Sequence, residues 1–293
     1  MPPLRIRDLP SFLTTDAASF PAVLGNIRDI FLALDKKREQ SKQKPKVLVN
    51  TFDELEAEAF SAVGDVELIA VGPILQSFPK DNAKARPGFD LFKPDERAYM
   101  EWLDSKPAKS VVYVSFGSLT VLKEQQMREI LKGLKASGRP YLWVVRKDNR
   151  IEGVELEEKG DDDALVVEWC SQVRVLNHPS VGCFVTHCGW NSTLESLVCG
   201  VPIVGVPQWA DQGTNVMLAE RVWGTGVRAE ANQDGILNGE DLKRCLDLVL
   251  GEGERGVEIR RKAGVWKEKA IEAVSKGGSS DRNLKVFVDN VTK

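Results

Sequence analysis

The residues best suited to chemistry lie in one stretch of 44 residues, from Trp169 to Gln212, which also holds both histidines of the chain. The second histidine, His187, follows the apolar, β-prone run 182–186 and precedes a helix-like segment. Ligands bind at this edge of parallel sheets, so an imidazole N–H here could donate to a phosphate oxygen. A histidine satisfied by a backbone carbonyl at a strand end would fit the same position, and the sequence leaves both interpretations open.

Three polar residues near the start of the next predicted helix could bind an anion. Asn191 and Ser192 would place donors beside the free N–H groups of the helix start, where the helix dipole favours negative charge. Glu195, one turn later, could hold ribose hydroxyls. The structural alternative is that Asn191 or Ser192 caps a helix running to about Cys199. Ser192-Thr-Leu-Glu195 also matches a capping box, which the sequence alone favours for Glu195.

Side chains at three other predicted strand ends could add to such a site. The flat face of Trp169 could stack on a nucleobase, although a lone tryptophan is more often part of a core. Asp211 and Gln212 form an acid–amide pair suited to sugar hydroxyls, or else Asp211 caps the next helix. Gly117-Ser118 is a second turn after a buried strand and could supply donors to the same cleft.

Composition and missing motifs exclude several classes of protein. The net charge is -3, and no basic stripe indicates a nucleic-acid partner. No apolar run approaches the length of a membrane span, so we expect no integral membrane contact. Neither a dinucleotide-binding Gly-x-Gly-x-x-Gly nor a P-loop follows a strand. The five cysteines indicate a reduced, cytoplasmic location, and without a Cys-x-x-Cys pair we expect no zinc.

Alternating strands and helices must position these residues. From Val111 to Ala229 the two types of segment follow one another, which predicts an α/β fold with a doubly wound parallel sheet. Asp161-Asp-Asp163 precedes one of these strands, at the wrong edge for a ligand, and we interpret it as a solvated loop. The predicted strands are 47–51, 66–71, 110–116, 141–145, 164–168, 182–186, 201–206 and 226–229. The main predicted helices are 21–40, 95–105, 123–137, 214–223, 239–250, 255–276 and 281–292.

The 44-residue stretch closely resembles the plant secondary product glycosyltransferase box, the donor-binding signature of plant UDP-glycosyltransferases. It begins with Trp-Cys-Ser-Gln, contains His-Cys-Gly-Trp-Asn-Ser and ends with Trp-Ala-Asp-Gln. Four further segments look like landmarks of that family, so the resemblance covers nearly the whole chain. They are Val114-Ser-Phe-Gly-Ser118, Val49-Asn-Thr-Phe-Asp-Glu-Leu55, Val71-Gly-Pro73 and the Gly277-Gly-Ser-Ser segment.

The resemblance implies a role for each site residue. The uridine would be held by stacking on Trp169, by the backbone of Cys170 and, at the ribose, by Gln172 and Glu195. The diphosphate would be bound by His187, Asn191, Ser192 and Ser118. The sugar would be contacted by Trp190, Asp211 and Gln212. In this family a glutamine at the last position of the box usually accompanies glucose as the donor sugar.

The resemblance also implies a GT-B glycosyltransferase architecture. Residues 1–75 would be a remnant of the N-terminal, acceptor-binding α/β domain and 76–95 an interdomain linker. Residues 96–277 would form the C-terminal, Rossmann-like UDP-sugar-binding domain, and 278–293 a helix that packs back on the N-terminal part. The chain therefore looks like a family member lacking most of its acceptor domain, with its own missing N-terminal half as a possible partner.

The implied function is inverting glucosyl transfer from UDP-glucose to a hydroxyl or carboxyl of a small plant metabolite, such as a flavonoid or another phenolic, without a metal or cofactor. The family uses a catalytic histidine near its N-terminus and an aspartate partner. This chain has only His178 and His187, both inside the box, so we expect it to contain no catalytic residue. The alternative is a non-catalytic UDP-sugar-binding fragment.

Overall fold

The chain divides into two units, which are described separately. The computed structural model describes residues 2–14, 21–41, 44–75, 96–150, 156 and 161–291. The smaller unit comprises residues 1–75 and 268–293, and the larger comprises residues 76–267. The predicted linker 76–95 lies outside the described residues.

The smaller unit is built on two parallel strands, β1 (Lys46–Val49) and β2 (Glu67–Ala70). Its helices are α1 (Ser11–Thr14), α2 (Pro21–Ser41), α3 (Asp53–Ala62) and, at the other end of the sequence, α11 (Ser279–Val291). Helix α11 reaches the end of β2, because Asn283 Nδ2 donates to the carbonyl oxygen of Ala70 at 3.0 Å and Ser280 Oγ donates to that of Gly72 at 2.6 Å.

The larger unit contains a six-stranded parallel sheet in the order β5-β4-β3-β6-β7-β8. Every residue of the two central strands is buried, as expected for strands covered on both faces. The chain builds outward from β3 in one direction and then returns to β6, so β3 and β6 flank the point where the strand order reverses. The strands are β3 (Val111–Ser115), β4 (Tyr141–Val144), β5 (Ala164–Val167), β6 (Val181–Thr186), β7 (Ile203–Gly205) and β8 (Gly226–Arg228).

Helices α5, α6, α7 and α8 connect strands of this sheet, α4 precedes the first strand, and α9 and α10 follow the last. The helices are α4 (Glu96–Asp104), α5 (Glu124–Ser137), α6 (Gln172–Leu176), α7 (Trp190–Cys199), α8 (Gln212–Met217), α9 (Gly239–Leu250) and α10 (Glu254–Val274). The predicted helix 214–223 is wrong in detail, because α8 begins at Gln212 and gives way to a π-helical turn over Leu218–Val222. The last seven residues of α10 belong to the smaller unit.

All five cysteines are buried and none forms a disulfide. Burial raises the pKa of the Cys183, Cys199 and Cys245 thiols to about 12, so these side chains behave as small apolar groups of the core. Among the residues with described positions, no helix has both the length and the apolar character needed to cross a membrane.

Candidate functional site

The predicted site residues follow the carboxyl ends of four parallel strands, β3, β5, β6 and β7. The turn Gly117-Ser118 follows β3, and His187 follows β6 directly. Because these two strands flank the reversal of strand order, their ends open a crevice of the kind in which parallel α/β sheets bind ligands. The two turns therefore lie at the same edge of the sheet.

The imidazole of His187 is held between two glycines. A Cβ atom on Gly117 would lie 2.7 Å from His187 Cε1, and one on Gly189 would lie 2.6 Å from Nε2. Gly117 also adopts a φ of 74°, in the left-handed region that favours glycine. Only residues without a side chain therefore allow the ring to occupy this position.

His187 has little hydrogen bonding from the protein. Its Nδ1 lies 3.5 Å from Thr186 Oγ1, which is a marginal contact. Burial lowers the pKa of His187 to about 4, although the nearby charge of Asp211 raises it in part. The ring is therefore neutral at pH 7 and carries one N–H, which suits it to donate to an anion and not to accept a proton.

Helix α7 begins at Trp190, earlier than the capping interpretation predicts. Its N-cap is Gly189, and no side chain bonds to the helix start. Asn191 and Ser192 are thus inside the first turn, and the prediction that either of them caps the helix is wrong. The backbone N–H groups of this first turn have no acceptor within the helix, and they lie next to His187 at the crevice.

The capping box predicted for Ser192 and Glu195 is also wrong, because both side chains are bound by a distant residue. Gln172 Nε2 donates to Ser192 Oγ at 2.8 Å and to Glu195 Oε2 at 2.5 Å. Burial raises the pKa of Glu195 to about 6, and the bond from Gln172 opposes that rise. Gln172 and Glu195, the pair assigned to ribose, therefore lie side by side.

Asp211 and Gln212 lie in the loop after β7 and at the start of α8. Gln212 is 4% exposed, and its Oε1 accepts from the backbone N–H groups of Gln208 at 2.8 Å and Trp209 at 3.0 Å. Its Nε2 is then the end of the amide that can donate to a ligand. Asp211 precedes α8 but makes no capping bond, and its Oδ2 accepts from Asn215 Nδ2 at 2.9 Å. Asp211 therefore occupies the N-cap position of α8, as the capping alternative predicts, but its side chain does not make the capping hydrogen bond.

The remaining predicted residues differ in how they reach the crevice. Trp169 is half-buried just after β5, and Ser118 is exposed in the turn after β3. Cys170 is buried, with its Sγ 3.4 Å from Tyr113 Oη, so its side chain faces the core. The ring of Trp190 packs against Trp223, with 6.3 Å between ring centroids. A ligand contact by Cys170 would therefore involve its backbone.

Sequence reasoning missed three residues that hold the site together. Arg146 follows β4, and its Nη1 donates to the carbonyl oxygens of Gly117 at 2.7 Å and Thr120 at 3.2 Å, which fixes the turn after β3. Asn215 Nδ2 donates to the carbonyl oxygen of Cys188 at 2.9 Å. Tyr113 Oη donates to Gln172 Oε1 at 3.1 Å. Only Arg146 had a usable signal, as a charged residue at the ligand-binding end of a predicted strand.

At the amino ends of the strands, polar groups are paired by the protein. His178 Nδ1 lies 2.7 Å from Ser180 Oγ, and its Nε2 lies 3.1 Å from Asp104 Oδ1. The predicted solvated loop 161–163 is anchored here, because Lys106 Nζ bonds to the carbonyl oxygen of Asp162 at 2.6 Å and to Asp163 Oδ1 at 3.0 Å. No group of three potential metal-binding His, Cys, Asp or Glu residues occurs within the described parts of the chain.

Two curated plant proteins are similar to the whole of this chain. Crocetin glucosyltransferase, chloroplastic, from Gardenia jasminoides is 49% identical over 100% of this chain and 63% of its own length. Phloretin 4'-O-glucosyltransferase from Malus domestica is 50% identical over 97% of this chain and 61% of its own length. The chain thus spans less than two thirds of the length of these relatives.

Solved structures agree with the fold. Os79 from O. sativa, crystallised in complex with UDP, matches with a TM-score of 0.84 and 37% identity over 98% of this chain and 62% of its own. UGT2 from Phytolacca americana, complexed with UDP-2fluoro-glucose and pterostilbene, matches with a TM-score of 0.70 and 32% identity over 84% of this chain and 52% of its own. These neighbours are GT-B enzymes, so the predicted α/β, GT-B fold class is confirmed.

The family predicted from the box is also confirmed. The model of the family described as "UDP-glucoronosyl and UDP-glucosyl transferase" matches residues 46–275, which include the entire stretch from Trp169 to Gln212. This match extends over both units of the structure. The chain belongs to the UDP-glucoronosyl and UDP-glucosyl transferase family.

Proposed function

We propose that this chain is the donor-binding part of an enzyme that transfers glucose from UDP-glucose to a hydroxyl or carboxyl of a small plant metabolite. The observation that carries the proposal is the early start of α7. Because the helix begins at Trp190, Asn191 and Ser192 are not used as caps, and their backbone N–H groups have no acceptor within the helix. An anion placed there would gain hydrogen bonds and the favourable end of the helix dipole.

The chemical share of this chain would be stabilisation of the leaving group. As the bond to the sugar breaks, negative charge grows on the diphosphate of UDP, and donors already aimed at it lower the barrier. His187, neutral at pH 7, would donate its one N–H together with Asn191, Ser192 and the turn at Ser118. Inversion at the anomeric carbon would follow from a single displacement by the acceptor.

The other site residues would orient the donor. Stacking on Trp169 and a pairing contact from the Cys170 backbone would hold the uracil, and Gln172 and Glu195 would hold the ribose. Asp211 and the amide nitrogen of Gln212 would bind the sugar hydroxyls. For Trp190, whose ring packs on Trp223, a sugar contact would use its backbone or its remaining exposed edge.

Neither histidine of this chain is suited to activate an acceptor. His178 is bonded to Ser180 and Asp104 at the opposite edge of the sheet, and a pKa of about 4 makes His187 a weak base. We therefore propose that the general base lies on polypeptide that this chain does not contain. The second candidate function, a UDP-sugar-binding fragment without catalysis, is favoured by the same observation.

We also propose how the chain is divided between the two domains of the enzyme. Residues 1–75 would belong to the acceptor-binding domain, 76–95 to the linker, 96–277 to the donor-binding domain and 278–293 to a helix returning to the first part. The named substrates of the relatives, crocetin and phloretin, make a small acceptor such as a phenolic the first class to test. A cytoplasmic location and the absence of a metal requirement stay predictions.

The test is a calorimetric titration of UDP and of uridine into the purified chain. We expect UDP to bind more tightly than uridine by at least about a hundredfold, because two or more charge-assisted hydrogen bonds go to the diphosphate. Trp169→Ala should weaken both ligands, whereas the control Trp102→Ala, at the opposite edge of the sheet, should weaken neither. Equal affinities for UDP and uridine would contradict the proposal.

A glucosylation assay tests whether the chain transfers glucose without further polypeptide. The chain is incubated with UDP-glucose and a panel of phenolic acceptors, and the products are analysed by mass spectrometry. The proposal expects UDP binding without product from this chain alone. Glucoside formed by the chain alone would show that it contains a general base, which would contradict our assignment of its two histidines.

A further inference from the structure

We propose that Tyr113 is a positioning residue for ribose recognition, which it serves by fixing the amide group of Gln172. The proposal rests on the donor-binding function proposed above. Tyr113 lies in the middle of β3, beneath the crevice, and is only 1% exposed. Its hydroxyl is too deep to touch a ligand, so any effect on binding must pass through the residues that it contacts.

The orientation of the Gln172 amide follows from its neighbours. An ionised carboxylate can only accept hydrogen bonds, so the side of Gln172 facing Glu195 must be the NH2 group, which donates to Glu195 Oε2 at 2.5 Å and to Ser192 Oγ at 2.8 Å. Its Oε1 therefore faces Tyr113, whose hydroxyl donates to it at 3.1 Å. The Cys170 thiol, 3.4 Å from the same hydroxyl, is left to donate to the Tyr113 oxygen.

These bonds form one directional chain from the core to the crevice. It runs from the thiol of Cys170 through the hydroxyl of Tyr113 and the amide of Gln172 to the carboxylate of Glu195. Each donor polarises the next, and the chain has only one consistent direction. The carboxylate at its end is the group that we assign to the ribose hydroxyls, so the orientation of Gln172 decides how Glu195 is presented.

The hydrophobic core fixes the position of Tyr113, near the start of this series of hydrogen bonds. The ring of Tyr113 stacks on Phe184 of β6, with 4.8 Å between centroids and 21° between planes. A second buried tyrosine, Tyr99 of α4, accepts a hydrogen bond at 3.2 Å from the backbone N–H of Ser171, the residue before Gln172. Two tyrosine hydroxyls thus hold the start of α6. That of Tyr99 bonds to the backbone of Ser171, and that of Tyr113 bonds to the side chain of Gln172.

Removal of the hydroxyl would leave Gln172 Oε1 without this donor. The amide could then rotate, and Glu195 would lose the bond that now opposes the rise of its pKa to about 6. A carboxylate that is protonated or turned away accepts ribose hydroxyls poorly. The predicted consequence is a loss specific to the ribose hydroxyls, while contacts to the uracil and the diphosphate are retained.

The experiment compares UDP with 2′,3′-dideoxy-UDP, which differ only in the ribose hydroxyls. The dissociation constant of 2′,3′-dideoxy-UDP divided by that of UDP is measured by calorimetry for the unmodified chain, Tyr113→Phe and the matched control Tyr141→Phe. Tyr141 is also a buried tyrosine of the sheet, but its hydroxyl donates to the carbonyl oxygen of Leu156 at 3.2 Å, away from the crevice. We expect the ratio to fall by about three- to tenfold in Tyr113→Phe and to be unchanged in Tyr141→Phe.

A double-mutant cycle tests whether the effect passes through Gln172. In a Gln172→Ala background, Tyr113→Phe should cause no further change in the ratio. An unchanged ratio in Tyr113→Phe, or an equal fall in Tyr141→Phe, would overturn the proposal while UDP binding itself survives. A chain that binds neither nucleotide would overturn the donor-binding function as well, so the two failures can be told apart.

Discussion

Strand β6 has a histidine beyond each end, and the two are treated in opposite ways. At the amino end, His178 has a partner for each ring nitrogen, Ser180 on one side and Asp104 on the other. At the carboxyl end, His187 has one marginal contact of 3.5 Å and is held by the shape of two glycines. The same residue type is thus bound by hydrogen bonds at one edge of the sheet and by close packing at the other.

The difference extends to the surrounding groups and agrees with the ligand-binding edge that we propose. The loop 161–163 at the amino edge is tied down by Lys106. At the carboxyl edge, the first turn of α7 keeps backbone donors without intrahelical acceptors, and the ring of His187 is kept neutral with its N–H available. The carboxyl edge therefore offers hydrogen-bond donors that the proposed diphosphate could use.

The largest effect should come from filling the space beside His187. In Gly117→Ala, the new Cβ would meet the imidazole at 2.7 Å and displace it. We expect UDP affinity to fall by about a hundredfold, because the hydrogen bond from His187 to a charged group, worth about 1.5–3 kcal/mol, is lost. Overpacking lowers the free energy of unfolding by roughly a further 1–3 kcal/mol. Isothermal titration calorimetry with UDP measures the loss of affinity.

Gly138→Ala is the matched control for that substitution. Gly138 also has a positive φ, of 62°, but a Cβ there would meet nothing within 4 Å. Both variants should lose about 1–2 kcal/mol of stability from the left-handed backbone. Only the variant beside His187 should lose affinity. A similar loss of affinity in both variants would show that general destabilisation is the cause.

The next largest effect is a dependence of stability on pH that is caused by His187. The pKa of His187 is lowered to about 4 in the folded chain, while an unfolded histidine titrates near 6.5. Between these values the unfolded state binds more protons than the folded state. The contribution of His187 to the free energy of unfolding is therefore fully present above pH 6.5, and it falls by roughly 3 kcal/mol as the pH approaches 4.

Chemical denaturation at several pH values tests this prediction. His187→Gln should lose less stability than the unmodified chain over the same range, so its stability relative to that chain should increase as the pH falls. His178→Gln should keep the full acid sensitivity due to His187. If His187→Gln and the unmodified chain lose stability in parallel, the burial of the imidazole does not control its protonation.

The smallest effect concerns affinity at neutral pH. His187→Gln should weaken UDP binding by about tenfold, because a displaced amide replaces one well-placed donor to a phosphate oxygen. His178→Gln should leave UDP affinity within about twofold and lower the free energy of unfolding by about 1 kcal/mol. If the two variants affect UDP to the same extent, the functional distinction between the two edges fails.

The sequence alone predicted those strands and helix ends whose signals lie in neighbouring residues. The apolar runs at 110–116 and 182–186 predicted buried strands, and the structure has β3 and β6 there. The glycines at 138 and 200 predicted the ends of α5 and α7, and both adopt the left-handed conformation that ends a helix. Each of these predictions rests on residues that are neighbours in the chain.

The predictions that failed depend on contacts that are distant in sequence. Ser192 and Glu195 match a capping box, but both side chains are hydrogen-bonded to Gln172, which lies twenty residues before Ser192. Tyr113 is a further 59 residues before Gln172. No local pattern contains this information, because the order of the strands brings the residues together. The family resemblance assigned Gln172 and Glu195 to the same part of the ligand, and the structure shows their side chains hydrogen-bonded to each other.

The buried cysteines give the larger unit a built-in reporter of its own opening. All five lie between residues 170 and 245, and the smaller unit contains none. A thiol-alkylating reagent can reach them only when the sheet unit opens, so the rate of labelling measures the frequency of that event. The labelling rate therefore follows the larger unit alone, with no probe introduced.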